Sequence, residues 1–173
     1  MKKKIIILAT AILWLAIAMA AVISRQQILN TGKVVVLETA PVDPRDFLRG
    51  DYVVLNYRIS RLDLGKIKSP MPYYYPGEAV YVQLEQKGKF WEPVAAYPQK
   101  DASLEGVFIK GKVKNHYYNQ TLVVNYGIES YFVPEGEGKD IEDNMQRGKN
   151  PLSVEVAIAP SGAALIKRVY IDK

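Results

Sequence analysis

The side chains able to do chemistry are few and scattered along this chain. It has no cysteine and a single histidine, His116. Thiol nucleophiles, thiolate metal sites and disulfides are thereby excluded, as is any centre built from several imidazoles. A serine nucleophile with a lysine general base needs the two within hydrogen-bond reach. Ser24 and Ser69 are the candidate nucleophiles and Lys110 and Lys112 the candidate bases, but no motif ties one to another. Glu135, Glu137, Asp140, Glu142 and Asp143 gather around Gly136 and Gly138, and an oxygen-rich loop of this kind can hold Ca²⁺. Their spacing departs from the EF-hand loop, and the same acids suit the positive end of a helix starting at Lys139. His116 falls in a polar, tyrosine-bearing stretch expected to form an exposed hairpin tip, where a histidine is simply solvated. Tyr73, Tyr74 and Tyr75, set among Pro70, Pro72 and Pro76, offer faces for a sugar or a peptide, or a lid over a core. Arg49-Gly50-Asp51 spells an adhesion tripeptide but straddles a turn and a strand, and Asn119-Gln120-Thr121 is a glycosylation sequon. No glycine-rich phosphate loop is present, and no cofactor or metal is expected.

The elements that must position these groups begin with a long apolar segment. Ile5 to Ile23 contains one polar residue, Thr10, and as a helix spans about 28 Å, close to the hydrocarbon thickness of a bilayer. Lys2, Lys3 and Lys4 precede it and Arg25 follows, an asymmetry that keeps the N-terminus in the cytoplasm and the body outside. Ala18-Met19-Ala20 fits a signal-peptide cleavage signature, yet apolarity continues through Val22 and Ile23, which favours an uncleaved anchor. The expected organisation is a cytoplasmic basic region at 1–4, an anchor at 5–23, a polar juxtamembrane linker at 24–32 and an extracytoplasmic β domain at 33–173. The net charge of +5 comes largely from the first three lysines. Without them 20 basic residues face 18 acidic ones, interspersed, so no nucleic-acid surface is expected.

The body reads as mainly β, an antiparallel barrel or sandwich, with one short helix over Lys139 to Arg147. Strands are expected at Lys33–Thr39, Asp51–Ser60, Glu78–Gln86, Phe90–Tyr97, Gly106–Lys114, Thr121–Val133, Leu152–Ala159 and Ala164–Ile171. Turns fall at Gln86–Lys89, Asn115–Gln120 and Pro160–Gly162. Asp43 to Gly50 looks like one helical turn, capped by Asp43, with Pro44 at its first position and Gly50 at its end. Across Asp51–Ser60, Val53, Leu55, Tyr57 and Ile59 share one face, taken as the core side. The proline density between Leu62 and Pro76 predicts irregular structure.

Gly50-Asp51-Tyr52-Val53-Val54-Leu55-Asn56-Tyr57 resembles the motif that names the GDYxxLxY family of small membrane-anchored bacterial proteins. Pro41 to Asp46 before it and Ser130-Tyr131-Phe132-Val133-Pro134-Glu135-Gly136 after it are similar to that family's flanking blocks. The resemblance covers essentially the whole chain. It implies a membrane location, the company of multi-spanning membrane proteins, and no known reaction. Read physically, the motif serves packing: Gly50 turns the backbone, Asp51 caps amides, Leu55 and Tyr57 fill the core. The functional alternative makes Asp43, Arg45, Asp46, Gly50, Asp51, Tyr52, Leu55 and Tyr57 a recognition surface. Segments 49–54 and 166–169 also look like strands of type-I signal peptidases, which share an anchor and a β domain. Those enzymes set their serine in a Ser-Met dipeptide; here Ser24 precedes Arg25 and Ser69 precedes Pro70. The expected function is a non-catalytic membrane-anchored accessory or binding protein working with a multi-spanning partner. A signal-peptidase-like hydrolase and an envelope ligand or ion sensor are the alternatives.

Overall fold

The computed structural model describes residues 2–40, 52–100, 105–117, 120–132 and 152–171. Helix α1 runs from Lys2 to Thr31. The span Lys3–Thr31 is long and apolar enough to cross a bilayer, and its apolar window is not buried against the rest of the chain. Thr10 is tolerated there because its hydroxyl donates back to the Ile6 and Ile7 carbonyls, both at 2.9 Å. The stretch at 24–32, read from sequence as a polar linker, continues this helix through Thr31. Gln26 and Asn30 are bonded one turn apart at 3.3 Å, and good helix formers carry the backbone past the end of the apolar run.

The helix stops at Gly32, whose N–H makes a last bond to the Ile28 carbonyl at 2.9 Å. A Cβ at this position would lie 2.5 Å from the Ile28 oxygen and 3.1 Å from the Ile158 oxygen, so only glycine lets helix and sheet approach so closely. One residue therefore separates α1 from the first strand.

Among the described residues ten strands follow: β1 Lys33–Glu38, β2 Tyr52–Val54, β3 Arg61–Asp63, β4 Ala79–Lys87, β5 Phe90–Tyr97, β6 Val107–His116, β7 Thr121–Asn125, β8 Ser130–Phe132, β9 Leu152–Ile158 and β10 Ala164–Ile171. They form ladders in the orders β1-β9-β10, β2-β8 and β3-β7-β6-β4-β5, with antiparallel pairing throughout. Isolated bonds join the pieces. Thr39 bridges Tyr57, Ala40 N–H reaches the Asn56 carbonyl at 2.7 Å, and Leu55 N–H reaches the Glu129 carbonyl at 2.8 Å. Lys110 N–H meets the Gly162 carbonyl at 2.9 Å. The result is a nearly closed, barrel-like antiparallel sheet, so the mainly β expectation is met. Among the described residues α1 is the one α-helix; the short helix expected at 139–147 and the helical turn at 43–49 lie outside them.

The barrel interior takes alternate residues of each strand, the period-2 pattern of a sheet with one wet face. Val35 and Leu37 of β1, Val80, Val82 and Leu84 of β4, and Leu122 and Val124 of β7 meet there. β9 is buried on both sides along almost its whole length. Val53, Leu55, Tyr57 and Ile59 are all buried, as the alternation predicts. The backbone differs from the single strand expected over 51–60: ladder pairing covers β2, isolated bonds hold residues 55–57, and residues 58–60 tighten into a 3₁₀ turn. Thr121–Val133 likewise divides into β7 and β8, because Gly127 sits at φ 79°, a conformation that ends a strand.

Candidate functional site

Two regions present groups suited to binding. The first is a cleft of about 470 Å³ that opens where the motif strand turns into β3, against β5. Its walls carry three ion pairs: Arg58 to Glu38 at 2.8 Å, Lys66 to Asp63 at 3.0 Å and Lys87 to Glu92 at 2.9 Å. Ile67, Phe90, Trp91 and Pro93 supply apolar surface between them. Arg61 also lines the cleft and makes no ion pair among the described residues. The electrostatics follow from the pairs. The Lys66 ammonium, helped by the Gly65 N–H, holds the Asp63 carboxyl below its usual range, and Glu92 pushes the Lys87 ammonium up. A cleft with paired charges of both signs, one surplus guanidinium and a tryptophan wall can hold a polar, extended ligand such as a peptide.

The second region is the tyrosine loop. Sequence reasoning offers Tyr73–Tyr75 as either a stacking platform or a lid, and the structure divides these roles. Tyr74 is fully buried. Its hydroxyl lies 2.8 Å from the Ala96 carbonyl and 2.9 Å from Ser69 Oγ, and burial pushes its phenol above the ordinary range while Ser69 pulls it partly back. Tyr73 and Tyr75 remain exposed and meet edge to face at 5.1 Å, with exposed Tyr117 and Met71 completing the apolar surface.

His116 is not the solvated hairpin tip expected from its neighbours. It is the last residue of β6 and is buried, its ring stacked on Tyr73 at 4.4 Å. Its Nδ1 accepts the Tyr74 N–H at 3.1 Å, which leaves the ring proton on Nε2. The imidazole is thus a bracket for the tyrosine loop, a role that takes a partner 42 residues away in the chain.

Of the candidate recognition surface, Asp43, Arg45, Asp46, Gly50 and Asp51 lie outside the described residues. Tyr52 opens β2, opposite Phe132 of β8. Leu55 and Tyr57 are 1% and 2% exposed, so they support the motif from inside the core and cannot touch a partner. The Tyr57 hydroxyl donates to the Ile128 carbonyl at 2.7 Å, and the Tyr126 hydroxyl makes the reciprocal bond to the Ile59 carbonyl at 2.7 Å. Burial, reinforced by the nearby Glu129 carboxylate, pushes both phenols far above their ordinary range. Glu129 itself accepts the Tyr126 and Gly127 N–H groups, closing the turn between β7 and β8. No sequence signal marks this arrangement except Glu129 two residues after a glycine.

The serine–lysine chemistry is not assembled from the residues named for it. Ser24 Oγ donates to Ala20 O at 2.8 Å on the helix, and Ser69 Oγ is bonded to the tyrosine loop. Lys110 and Lys112 line a shallow groove with Gly77, Gly111, Asn125 and Gly127, without a serine. A Lys–Ser contact that sequence did not single out does exist: Lys89 Nζ lies 3.2 Å from Ser153 Oγ, with Ser153 fully buried. The acidic stretch 135–143 lies outside the described residues, and among those described no cluster of three or more acids or histidines could hold a metal.

Sequence comparison adds one finding. The family profile of GDYXXLXY proteins matches residues 14–169, from mid-helix to the last strand. The chain belongs to the GDYXXLXY family. No curated protein and no solved structure matches it. In this GDYXXLXY protein the described part of the motif pairs β2 with β8, and its last tyrosine is bonded to the Ile128 carbonyl.

Proposed function

We propose that this protein is a non-catalytic, membrane-anchored accessory protein whose β body binds a multi-spanning membrane protein on the extracytoplasmic side. The observation that carries this reading is the helix at Lys2–Thr31, apolar enough to cross a bilayer, which enters β1 through the single residue Gly32. Such a junction holds the body at one height and orientation above the lipid, where a partner spanning the same bilayer meets it at high effective concentration. The charged cleft and the exposed Tyr73–Tyr75 edge are the surfaces offered. The lysines at 2–4 set the N-terminus in the cytoplasm.

Purification of the full chain from membranes in mild detergent tests the reading. A reproducible multi-spanning protein, lost when Arg61→Glu is introduced into a folded chain, supports it; a chain recovered alone, or a C-terminal reporter facing the cytoplasm, overturns it. A serine hydrolase is the second reading, on the 3.2 Å Lys89–Ser153 contact. Complete burial of Ser153 weighs against attack on a substrate. Covalent labelling of Ser153 by a fluorophosphonate would establish the hydrolase reading instead.

A further inference from the structure

We infer that the end of the β body from which α1 departs is an anionic-lipid-binding surface, resting on the headgroups of the bilayer that the helix crosses. The inference rests on the anchoring reading and goes beyond it by naming a ligand. Lys33, the first residue of β1, pairs with Ile158, the last of β9. The turn that follows Ile158 is closed by Ala159 N–H to Ala163 O and Gly162 N–H to Ala159 O, both at 2.8 Å. Two further lysines border that turn, one through its ammonium and one through its backbone. Lys100 Nζ donates to the Pro160 carbonyl at 2.6 Å, and the Lys110 N–H donates to the Gly162 carbonyl at 2.9 Å. Lys33 thus starts beside the helix exit, and the Lys100 ammonium and the Lys110 backbone meet the turn next to it.

Their surroundings suit a phosphate plane. All three side chains are exposed, and none makes an ion pair among the described residues. Each ammonium lies over an aromatic ring: Lys33 over Trp91 at 5.9 Å, Lys100 over Phe108 at 5.5 Å, Lys110 over Tyr81 at 5.6 Å. Rings under the stems restrict the lysines while leaving ammonium donors for a ligand. Glu155, the acid of β9, is already held by Arg168 at 2.8 Å. The turn itself presents Pro160, Ser161 and Ala163, small exposed residues that permit close approach to a surface.

The height is right. From Ile23, where apolarity ends, to Thr31 the helix rises about 12 Å, and the headgroup layer occupies roughly 5–8 Å on each side of the hydrocarbon. The base of the body therefore starts just above the headgroups, within reach of long lysine side chains, and Arg25 on the helix lies among them. Exposed cations at this level are attracted to anionic headgroups.

The test uses the full chain in lipid nanodiscs, of phosphatidylcholine alone or with about a third phosphatidylglycerol. Lysine acetylation is followed by mass spectrometry. Lys33, Lys100 and Lys110 are expected to react roughly fivefold more slowly in the anionic discs, with the protection lost in molar salt. Lys66 and Lys87, ion-paired at the cleft, report background and should react equally in both. Lys100→Gln with Lys110→Gln should weaken the protection of Lys33 while the near-ultraviolet dichroism of the body is unchanged. Equal rates in the two discs would overturn the inference. Equivalent protection by inorganic phosphate in neutral discs would point to free anion, and protection that rises with copies per disc to a second chain; either overturns it. A chain that does not enter discs at all would remove the anchoring reading together with this one.

Discussion

The hydroxyl of Tyr57 gives a sharp test of what the family motif does. Replacing Tyr57 by Phe keeps the ring and removes only the group that donates to the Ile128 carbonyl at 2.7 Å. That carbonyl is then left buried without this donor, a loss of about 1–3 kcal/mol at neutral pH. The pH dependence supplies a second, independent signature. In the unfolded chain a tyrosine ionises near pH 10, whereas burial holds the Tyr57 and Tyr126 phenols protonated well beyond that. Above pH 10 the unfolded state has released protons that the folded state retains. Stability is therefore fully present below pH 10 and falls as pH rises, by about 1.4 kcal/mol per pH unit for each such group. Together the two tyrosines contribute about 2.7 kcal/mol per unit to the slope, and Tyr57→Phe removes about 1.4 of it. The variant is less stable at pH 8, and the gap closes between about pH 10 and 12. Urea titration of the full chain in detergent, read by near-ultraviolet dichroism at several pH values, measures both. A variant equal to wild type at pH 8, or a gap that stays constant to pH 12, would refute the assignment of Tyr57 as a buried structural donor.

Other perturbations follow from the same contacts. Gly111→Ala places a Cβ 2.2 Å from Val124 Cγ1, an overpacking cost of about 1–3 kcal/mol that a second change, Val124→Ala, should partly relieve in denaturant titrations. His116→Ala leaves the buried Tyr74 N–H without its acceptor and should cost about 1–3 kcal/mol, with increased hydrogen exchange confined to the tyrosine loop. Glu129→Gln trades a carboxylate that takes two backbone N–H groups for a neutral amide, at about 1 kcal/mol. It also removes the charge that helps keep Tyr57 and Tyr126 protonated, so absorbance at 295 nm should show their ionisation at lower pH.

What the sequence conveyed well were features carried by local periodicity. Val53, Leu55, Tyr57 and Ile59 alternate, and all four are buried. Gln86-Lys87-Gly88-Lys89 and Pro160-Ser161-Gly162 carry turn chemistry, and both connect neighbouring strands. The helix outruns the apolar segment because hydropathy ends at Ile23, while helix propensity continues through Arg25, Gln26 and Gln27. His116 was misread because its acceptor role depends on Tyr74, which polar neighbours give no sign of. The charged cleft was invisible for a similar reason. Glu38, Arg58, Asp63, Lys87 and Glu92 are spread over 54 positions and meet only once β1, β3 and the β4–β5 hairpin line one cleft. Burial can be read one strand at a time; a binding surface requires knowing which strands are neighbours.

Because one glycine stands between helix and sheet, the β body inherits the azimuth of α1 and has no swivel. Each residue of an α-helix turns the chain by about 100° and advances it by about 1.5 Å. Inserting a single alanine before Gln26 would therefore swing the whole body through more than a quarter circle about the helix axis while scarcely lifting it. Inserting seven would bring it back to nearly its original bearing, about 10 Å farther out. The bearing of the body about the helix axis is thus encoded in the count of residues along the stalk.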